Sequence, residues 1–104
     1  MIRHVVVCEF RGDASPQLLD ELLRSIGGVR TEGLRSLTFG TDLGLRSGNA
    51  SYALVADFDD VDAYQRFDED PEHQRIRAVI APIVVSATRV QFALSDRHPH
   101  RDAE

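Results

Sequence analysis

The sequence predicts an α+β fold, a ferredoxin-like sandwich in which helices cover one face of a four-stranded antiparallel sheet. The elements follow the order β-α-β-β-α-α-β, with no internal repeat and no linker between them. Two helix starts combine a capping side chain with a proline, at Ser15-Pro16 and Asp70-Pro71. The first strand, Ile2 to Arg11, is apolar on both faces, which places it centrally in the sheet. The 104 residues predict one domain over residues 1–95.

His4 is the first candidate functional residue. Side chains alternate along a strand, so His4 lies in a row with Ile2, Val6, Cys8 and Phe10. A polar group in such an apolar row needs a partner. A hydrogen-bonded core histidine satisfies this requirement as well as a ligand site does, and both interpretations stay open.

The first helix and the next two strands follow from apolar spacing and glycines. Five residues form a helical stripe that ends at Gly27-Gly28: Leu18, Leu19, Leu22, Leu23 and Ile26. The second strand is predicted from Leu34 to Gly40, but Leu34 falls on one face while Leu37 and Phe39 fall on the other. The loop 41–49 is rich in turn residues. The third strand is predicted over Tyr52 to Phe58.

Two short helices and a last strand complete the domain. Asp59 and Asp60 can cap a helix from Val61 to about Phe67. The helix that starts at Asp70-Pro71 carries apolar residues at 76, 79 and 80 and ends at Pro82. The last strand is predicted from Ala87 to Leu94. The polar residues 96–104, which include His98 and His100, predict a disordered tail.

The sheet face without helices predicts a homodimer. Apolar residues are expected on that face, mixed with charged ones: Val5, Val7, Ala53, Val55 and Ala93. A half-apolar open face is typical of a surface that a partner subunit covers. We therefore expect two copies to associate through their sheet faces.

Composition excludes several classes of partner and location. There are 17 acidic and 12 basic residues, a formal charge of −5, so no nucleic-acid partner is expected. No apolar run approaches the roughly 18 residues of a membrane helix, and no signal peptide is expected. The single cysteine, Cys8, cannot form an internal disulfide, as is typical of the reducing cytoplasm. A cytoplasmic protein without membrane association is the expectation.

Several segments in the right order carry a family resemblance. They are His4-Val5-Val6-Val7 with Phe10, Asp42-Leu43-Gly44-Leu45, the run from Ala53 to Asp60, and Asp70-Pro71-Glu72-His73-Gln74. Over roughly residues 2 to 94 the chain resembles the stress-responsive dimeric α/β-barrel (Dabb) proteins. The resemblance implies a dimer whose two sheets close into a barrel.

The resemblance also implies a site. In the olivetolic-acid-cyclase type of this family, which needs no cofactor, a first-strand histidine and a histidine at the start of the last helix share a pocket. The matching residues here are His4 and His73. The cyclase type has a tyrosine six positions before the helix histidine, where this chain has Phe67. Tyr64 lies one helical turn away, and we do not expect it to replace that tyrosine.

His73 can be assigned a chemical role from its position. It is the third residue of its helix, where the helix dipole disfavours imidazolium, so a neutral ring is expected near pH 7. A neutral imidazole can act as a general base, although packing near a helix end would explain it equally well. We predict catalytic roles for His73 and His4 and a pocket lined by Val6, Leu22, Leu23, Phe67 and Ile76.

Two functions are consistent with this pocket. One is binding of a small apolar or aromatic molecule, and the other is a cofactor-free polyketide cyclase or lyase with His73 as base. A metal is not expected, because neither a C-x-x-C nor an H-x-x-x-H spacing supports zinc. The acidic residues between 57 and 72 are interpreted as a solvated surface that also caps two helices. Cys8 is interpreted as a small buried apolar residue.

Overall fold

A computed structural model describes residues 1–95 and confirms the ferredoxin-like α+β fold. The predicted disordered tail, 96–104, lies outside the described residues. The elements in chain order are β1 (Ile2–Phe10), α1 (Pro16–Gly27), β2 (Leu34–Thr41), β3 (Tyr52–Phe58), α2 (Val61–Glu69), α3 (Pro71–Ile80), a 3₁₀ turn (Ala81–Ile83) and β4 (Val84–Ala93). No helix within residues 1–95 is long and apolar enough to cross a membrane.

The sheet has the strand order β2-β3-β1-β4, and every neighbouring pair is antiparallel. β1 is therefore central, as its two apolar faces predict. The core lies between the sheet and the helices, with Phe58, Phe67 and Ile76 as its largest fully buried side chains. Each strand contributes alternate residues to this layer, so His4 on β1 points into it and is buried.

The helix caps are those that the sequence predicts. The Ser15 hydroxyl accepts a hydrogen bond from the Leu18 amide at 3.3 Å. The carboxylates of Asp60 and Asp70 accept from the amides three residues later, at 2.9 and 3.0 Å. Asp59 does not cap α2, because its carboxylate is held by the guanidinium of Arg35. Each cap satisfies one of the amides that a helix start leaves without a partner.

β2 contains a bulge, and this bulge determines which of its residues face the helices. The pairing register with β3 shifts between Leu34 and Ser36, so Arg35 is the extra residue. The bulge places Leu34 opposite Phe58 and Leu37 opposite Ala56. The apolar residues of β2 therefore share the helix-facing side, although simple alternation divides them.

β4 begins earlier than predicted, at Val84 instead of Ala87. Val84 pairs with Phe10 after a register shift on β1, and the Arg11 amide then donates to the Ile83 carbonyl at 2.8 Å. β1 itself ends at Phe10, one residue before its predicted end. Because of this irregular pairing, the β1–β4 ladder continues past the segment of β4 that the alternation of apolar residues predicts.

The open face of the sheet differs from prediction at one residue. Val5, Val7, Ala53 and Val55 lie on that face, since they alternate with helix-facing neighbours. The prediction for Ala93 is wrong, because Ala93 pairs with Ile2 on the helix side. The large apolar residues of β4 on the open face are instead those paired with Val5 and Arg3, namely Val90 and Phe92. Both are exposed in the single chain.

Candidate functional site

A cavity of about 650 Å³ lies between the helix layer and the sheet. β1 forms its floor, and its walls come from α1, α2, α3, β3 and β4. Most of the enclosing side chains are apolar or aromatic, whereas a few polar side chains reach the cavity: His4, Tyr52, Tyr64, Asp68, His73, Arg77 and Arg89. A concave, mostly apolar cavity with a few converging polar groups is typical of small-molecule sites.

The structure places five of the seven predicted site residues around this cavity: His4, Val6, Leu23, Phe67 and His73. Both histidines therefore open into one space. Leu22 and Ile76 do not line it. Leu22 is adjacent to Leu23 on α1, and consecutive helical residues point about 100° apart. Ile76 is 1% exposed and fills the core beneath α3.

His4 is buried and held on two sides. Its Nδ1 atom lies 2.9 Å from the amide Nε2 of Gln91, the residue directly opposite on β4. The ring of Tyr64 packs against it with the two ring centres 5.1 Å apart. An amide nitrogen can only donate, so Nδ1 accepts and the proton of the neutral ring lies on Nε2. His4 can therefore donate a hydrogen bond to a molecule in the cavity.

Burial lowers the pKa of His4 from 6.5 to about 4, and the positive charge of Arg89 acts in the same direction. Desolvation disfavours the charged form of any buried imidazole. His4 is therefore neutral at pH 7. A group with so low a pKa is a weak base, which agrees with a hydrogen-bonding role.

His73 is the third residue of α3. Its ring packs edge to face against Phe67, with ring centres 4.2 Å apart. Nδ1 is buried and makes no hydrogen bond within residues 1–95. The backbone of Phe67 acts to raise the pKa of His73 but does not outweigh burial. A neutral imidazole keeps one ring nitrogen without a proton, so His73 can accept a hydrogen bond.

The pKa of His73 is lowered, as the sequence predicts, but the leading cause is different. Burial contributes most, followed by the positive charge of Arg77 on the next turn of α3. The helix dipole is thus not needed to explain a neutral ring. A neutral His73 beside a hydrogen-bond-donating His4 gives the cavity one acceptor and one donor.

Two tyrosines line the cavity in addition to the predicted residues. Tyr64 lines the cavity, although it was not among the predicted pocket residues. It lies three residues before Phe67 and hence on the same side of α2, a spacing that could have revealed it. Burial raises its pKa, so its phenol stays protonated. Tyr64 thus brings a phenol to the cavity wall on the same helix as Phe67.

Tyr52 lies at another part of the cavity wall and is 6% exposed. Its ring stacks on Phe10 and packs against Phe39, with ring centres 5.8 and 6.5 Å away. The hydroxyl is buried without a hydrogen-bond partner in the described part of the chain, and burial raises its pKa. Buried polar groups are normally bonded, so this hydroxyl is available to a polar group of a ligand.

Charged side chains complete the rim. The Asp68 carboxylate accepts a hydrogen bond from Arg77 at 2.8 Å, while Arg89 on β4 has no such partner among residues 1–95. Cys8 also lines the cavity, and burial raises the pKa of its thiol, so it is not a ready nucleophile. Within residues 1–95 no three His, Cys, Asp or Glu side chains converge as a metal site.

Comparison with known proteins identifies the family. The model of the stress-responsive A/B barrel domain, Dabb, matches residues 2–94. The chain belongs to the Dabb family. No curated protein matches it. A dimeric ferredoxin-like protein of unknown function from Thermobifida fusca YX is 31% identical, over 89% of this chain and 90% of its own, with a TM-score of 0.80.

Two enzymes share the Dabb fold at lower identity. The hydroxynitrile lyase of Passiflora edulis is 18% identical over 94% of this chain and 96% of its own, with a TM-score of 0.79. SnoaB, a cofactor-independent oxygenase of Streptomyces nogalater, is 17% identical over 95% and 97%, with a TM-score of 0.73. At these identities the likeness shows a common fold.

Proposed function

We propose that this Dabb domain binds a small apolar or aromatic molecule in the cavity between His4 and His73. The observation that carries the proposal is the pairing of a mostly apolar cavity with buried polar atoms that have no partner within residues 1–95. These atoms are Nδ1 of His73 and the hydroxyl of Tyr52. A ligand with carbonyl or hydroxyl groups would satisfy such atoms while its body fills the apolar space.

The two histidines offer complementary hydrogen bonds to such a ligand. His4 presents a donor, since Gln91 occupies its other nitrogen. His73 presents an acceptor, since its ring is neutral and Nδ1 has no hydrogen-bond partner within residues 1–95. A phenol could donate to His73, and a carbonyl or second hydroxyl could accept from His4. Neutral rings also cost less to enclose under a ligand than charged ones.

We also propose that the protein is a homodimer joined through its open sheet faces. Val7, Val90 and Phe92 are exposed on that face in the single chain. The relatives from Thermobifida fusca and Jannaschia are dimeric ferredoxin-like proteins. Burying these side chains would remove apolar area from water, at about 25 cal/mol per Å². Two sheets packed in this way would form the barrel that the family name describes.

Binding can be tested by titrating the full-length protein with 2-naphthol and measuring heat. We expect saturable binding with one site per chain. Val6→Phe should abolish it, because Val6 lines the cavity and the larger ring would fill it. The matched control is Val61→Phe, which changes an exposed residue of α2 outside the cavity. Equal binding by both variants would contradict the proposal.

A second candidate is a cofactor-free cyclase or lyase with His73 as general base. What favours it is that a neutral His73 and the protonated phenol of Tyr64 line the same mostly apolar cavity. In such a reaction His73 would remove a proton from a methylene between two carbonyls. The enolate carbon would then attack a carbonyl of the same chain, while His4 donates to the developing oxyanion.

The catalytic candidate predicts conversion of linear poly-β-keto thioesters to aromatic acids, detected by mass spectrometry. His73→Ala should lose about 10²–10⁴-fold in rate if His73 is the base. Tyr64→Phe tests the phenol, and Phe67→Tyr tests whether a hydroxyl at position 67 increases turnover. Absence of product from all variants, with 2-naphthol still bound, would leave ligand binding as the function.

A further inference from the structure

We infer that the ligand carries a carboxylate or a similar anionic group, which Arg89 binds where the cavity opens. This inference rests on the proposed ligand binding and specifies its chemistry. It starts from the position of Arg89 on β4. Arg89 is opposite Val6 in the sheet, so its side chain lies on the helix-facing side of the sheet, where it lines the cavity. Arg89 is also exposed, which places it between the cavity and solvent.

Arg89 differs from most arginines of the described chain in having no partner. Six arginines form ion pairs with carboxylates: Arg3, Arg11, Arg24, Arg35, Arg75 and Arg77. Arg30 and Arg66 donate to backbone carbonyls. Within residues 1–95, no acceptor is bonded to Arg89. Its five donors are free for a planar carboxylate, which an arginine can bind through two hydrogen bonds.

The charge balance of the cavity points in the same direction. Three charged side chains line it, and two of them, Asp68 and Arg77, neutralise each other across 2.8 Å. Both histidines are neutral at pH 7, since burial lowers their pKa. Arg89 therefore leaves the cavity with one net positive charge. An anionic ligand would be favoured over a neutral one of the same shape.

The charge of Arg89 acts on the interior of the cavity and not only on its rim. It lowers the pKa of His4 and of Tyr64, and it opposes the burial that raises the pKa of Cys8. These groups lie on the cavity floor and on the α2 wall. An anion held by Arg89 would thus place the rest of the ligand alongside His4, within reach of its Nε2 donor.

The test compares 2-naphthoate with its neutral analogue 2-naphthamide by titration calorimetry at pH 7. Wild type should bind the carboxylate about tenfold more tightly than the amide, which corresponds to one charge-assisted contact. Arg89→Gln should reduce this preference to about one. Arg46→Gln is the matched control, since Arg46 also has no ion pair within residues 1–95 but lies in the 42–49 loop outside the cavity. Raising the salt concentration should weaken the preference.

The outcomes separate this inference from the proposed function. Equal affinity for carboxylate and amide in wild type overturns the anion-binding role of Arg89 while leaving ligand binding intact. A preference that persists in Arg89→Gln, or one that Arg46→Gln removes equally, also overturns it. No binding of 2-naphthoate, 2-naphthamide or 2-naphthol overturns both proposals. A preference lost only in Arg89→Gln supports the inference.

Discussion

The amide nitrogen of Gln91 lies 2.9 Å from Nδ1 of His4, and the two residues face each other directly in the β4–β1 ladder. Their cross-strand contact assigns the proton of His4 to Nε2, because an amide nitrogen cannot accept a hydrogen bond. His4 is thereby a donor, and the acceptor role falls to His73. The contact with Gln91, which does not line the cavity, thus gives His4 a different hydrogen-bonding role from His73.

Gln91→Glu should reverse the tautomer of His4. A carboxylate accepts a hydrogen bond from Nδ1–H, so the proton would move to Nδ1, and the negative charge would raise the pKa of His4 above about 4. Side-chain ¹⁵N NMR of the imidazole reports both effects across a pH titration. Gln91→Met, which has a similar length but no donor, is the control and should abolish the tautomer preference without raising the pKa as far. An unchanged tautomer in Gln91→Glu would show that Gln91 does not control His4.

Stability should fall as pH decreases from about 6.5 to about 4. The pKa of His4 is about 4 in the folded chain and 6.5 when unfolded, so between these values the unfolded chain takes up a proton that the folded chain does not. The free energy of unfolding should therefore decrease by up to about 3 kcal/mol over this range. His73, whose pKa is also lowered, contributes with the same sign.

Urea unfolding at fixed protein concentration measures this dependence. His4→Gln should remove most of the slope between pH 6.5 and 4. The carboxylates with lowered pKa, such as Asp57 beside Arg3 and Glu72 beside Arg75, have ordinary pKa values of 3.8 and 4.5, so their stabilising contribution is lost mainly below about pH 4.5 and leaves the range above it to the histidines. A wild-type stability that stays constant down to pH 4.5 would argue against a buried neutral His4.

Tyr52→Phe should stabilise the protein. The substitution keeps the ring between Phe10 and Phe39 and removes a buried hydroxyl that has no partner within residues 1–95. Such a group costs about 1–3 kcal/mol, so the free energy of unfolding should rise by about 1 kcal/mol. Tyr64→Phe is the control and should change it little, since the Tyr64 hydroxyl is not fully buried. Clear destabilisation of Tyr52→Phe would mean that its hydroxyl is bonded in the folded protein.

Val7→Asp should convert the proposed dimer to monomers or aggregates. Val7 lies on the open sheet face, and a charge there would lose its hydration in the interface without gaining a partner. Light scattering after gel filtration gives the mass directly. Val61→Asp, on the exposed side of α2, should leave the mass unchanged. A wild-type monomer at micromolar concentration would remove the sheet-to-sheet dimer.

Much of the fold follows from local sequence signals. The caps at Ser15, Asp60 and Asp70 were predictable because each needs only a side chain and an amide three residues away. The bulge at Arg35 was not, since it depends on the register with β3. The wrong prediction for Ala93 has the same cause. The face on which Ala93 lies depends on its pairing with Ile2, which the sequence of β4 alone does not reveal.

The site was predictable only in part. His4 stood out as a polar residue in an apolar row, its pairing with His73 came from a family resemblance, and the structure brings both to one cavity. Gln91 and Arg89 were missed because their role depends on which β1 residues they face. Ala87, Arg89, Gln91 and Ala93 alternate along β4, so a central β1 and a known register would have revealed them.

The central claim is that one ligand engages both histidines in the cavity, and side-chain ¹⁵N NMR of the imidazoles during a titration with 2-naphthol tests it most directly. The predicted result is that the imidazole nitrogen resonances of His4 and His73 shift together along one saturable curve, and that Val6→Phe abolishes both shifts. Shifts confined to one histidine, or none at millimolar 2-naphthol, would contradict a shared binding site.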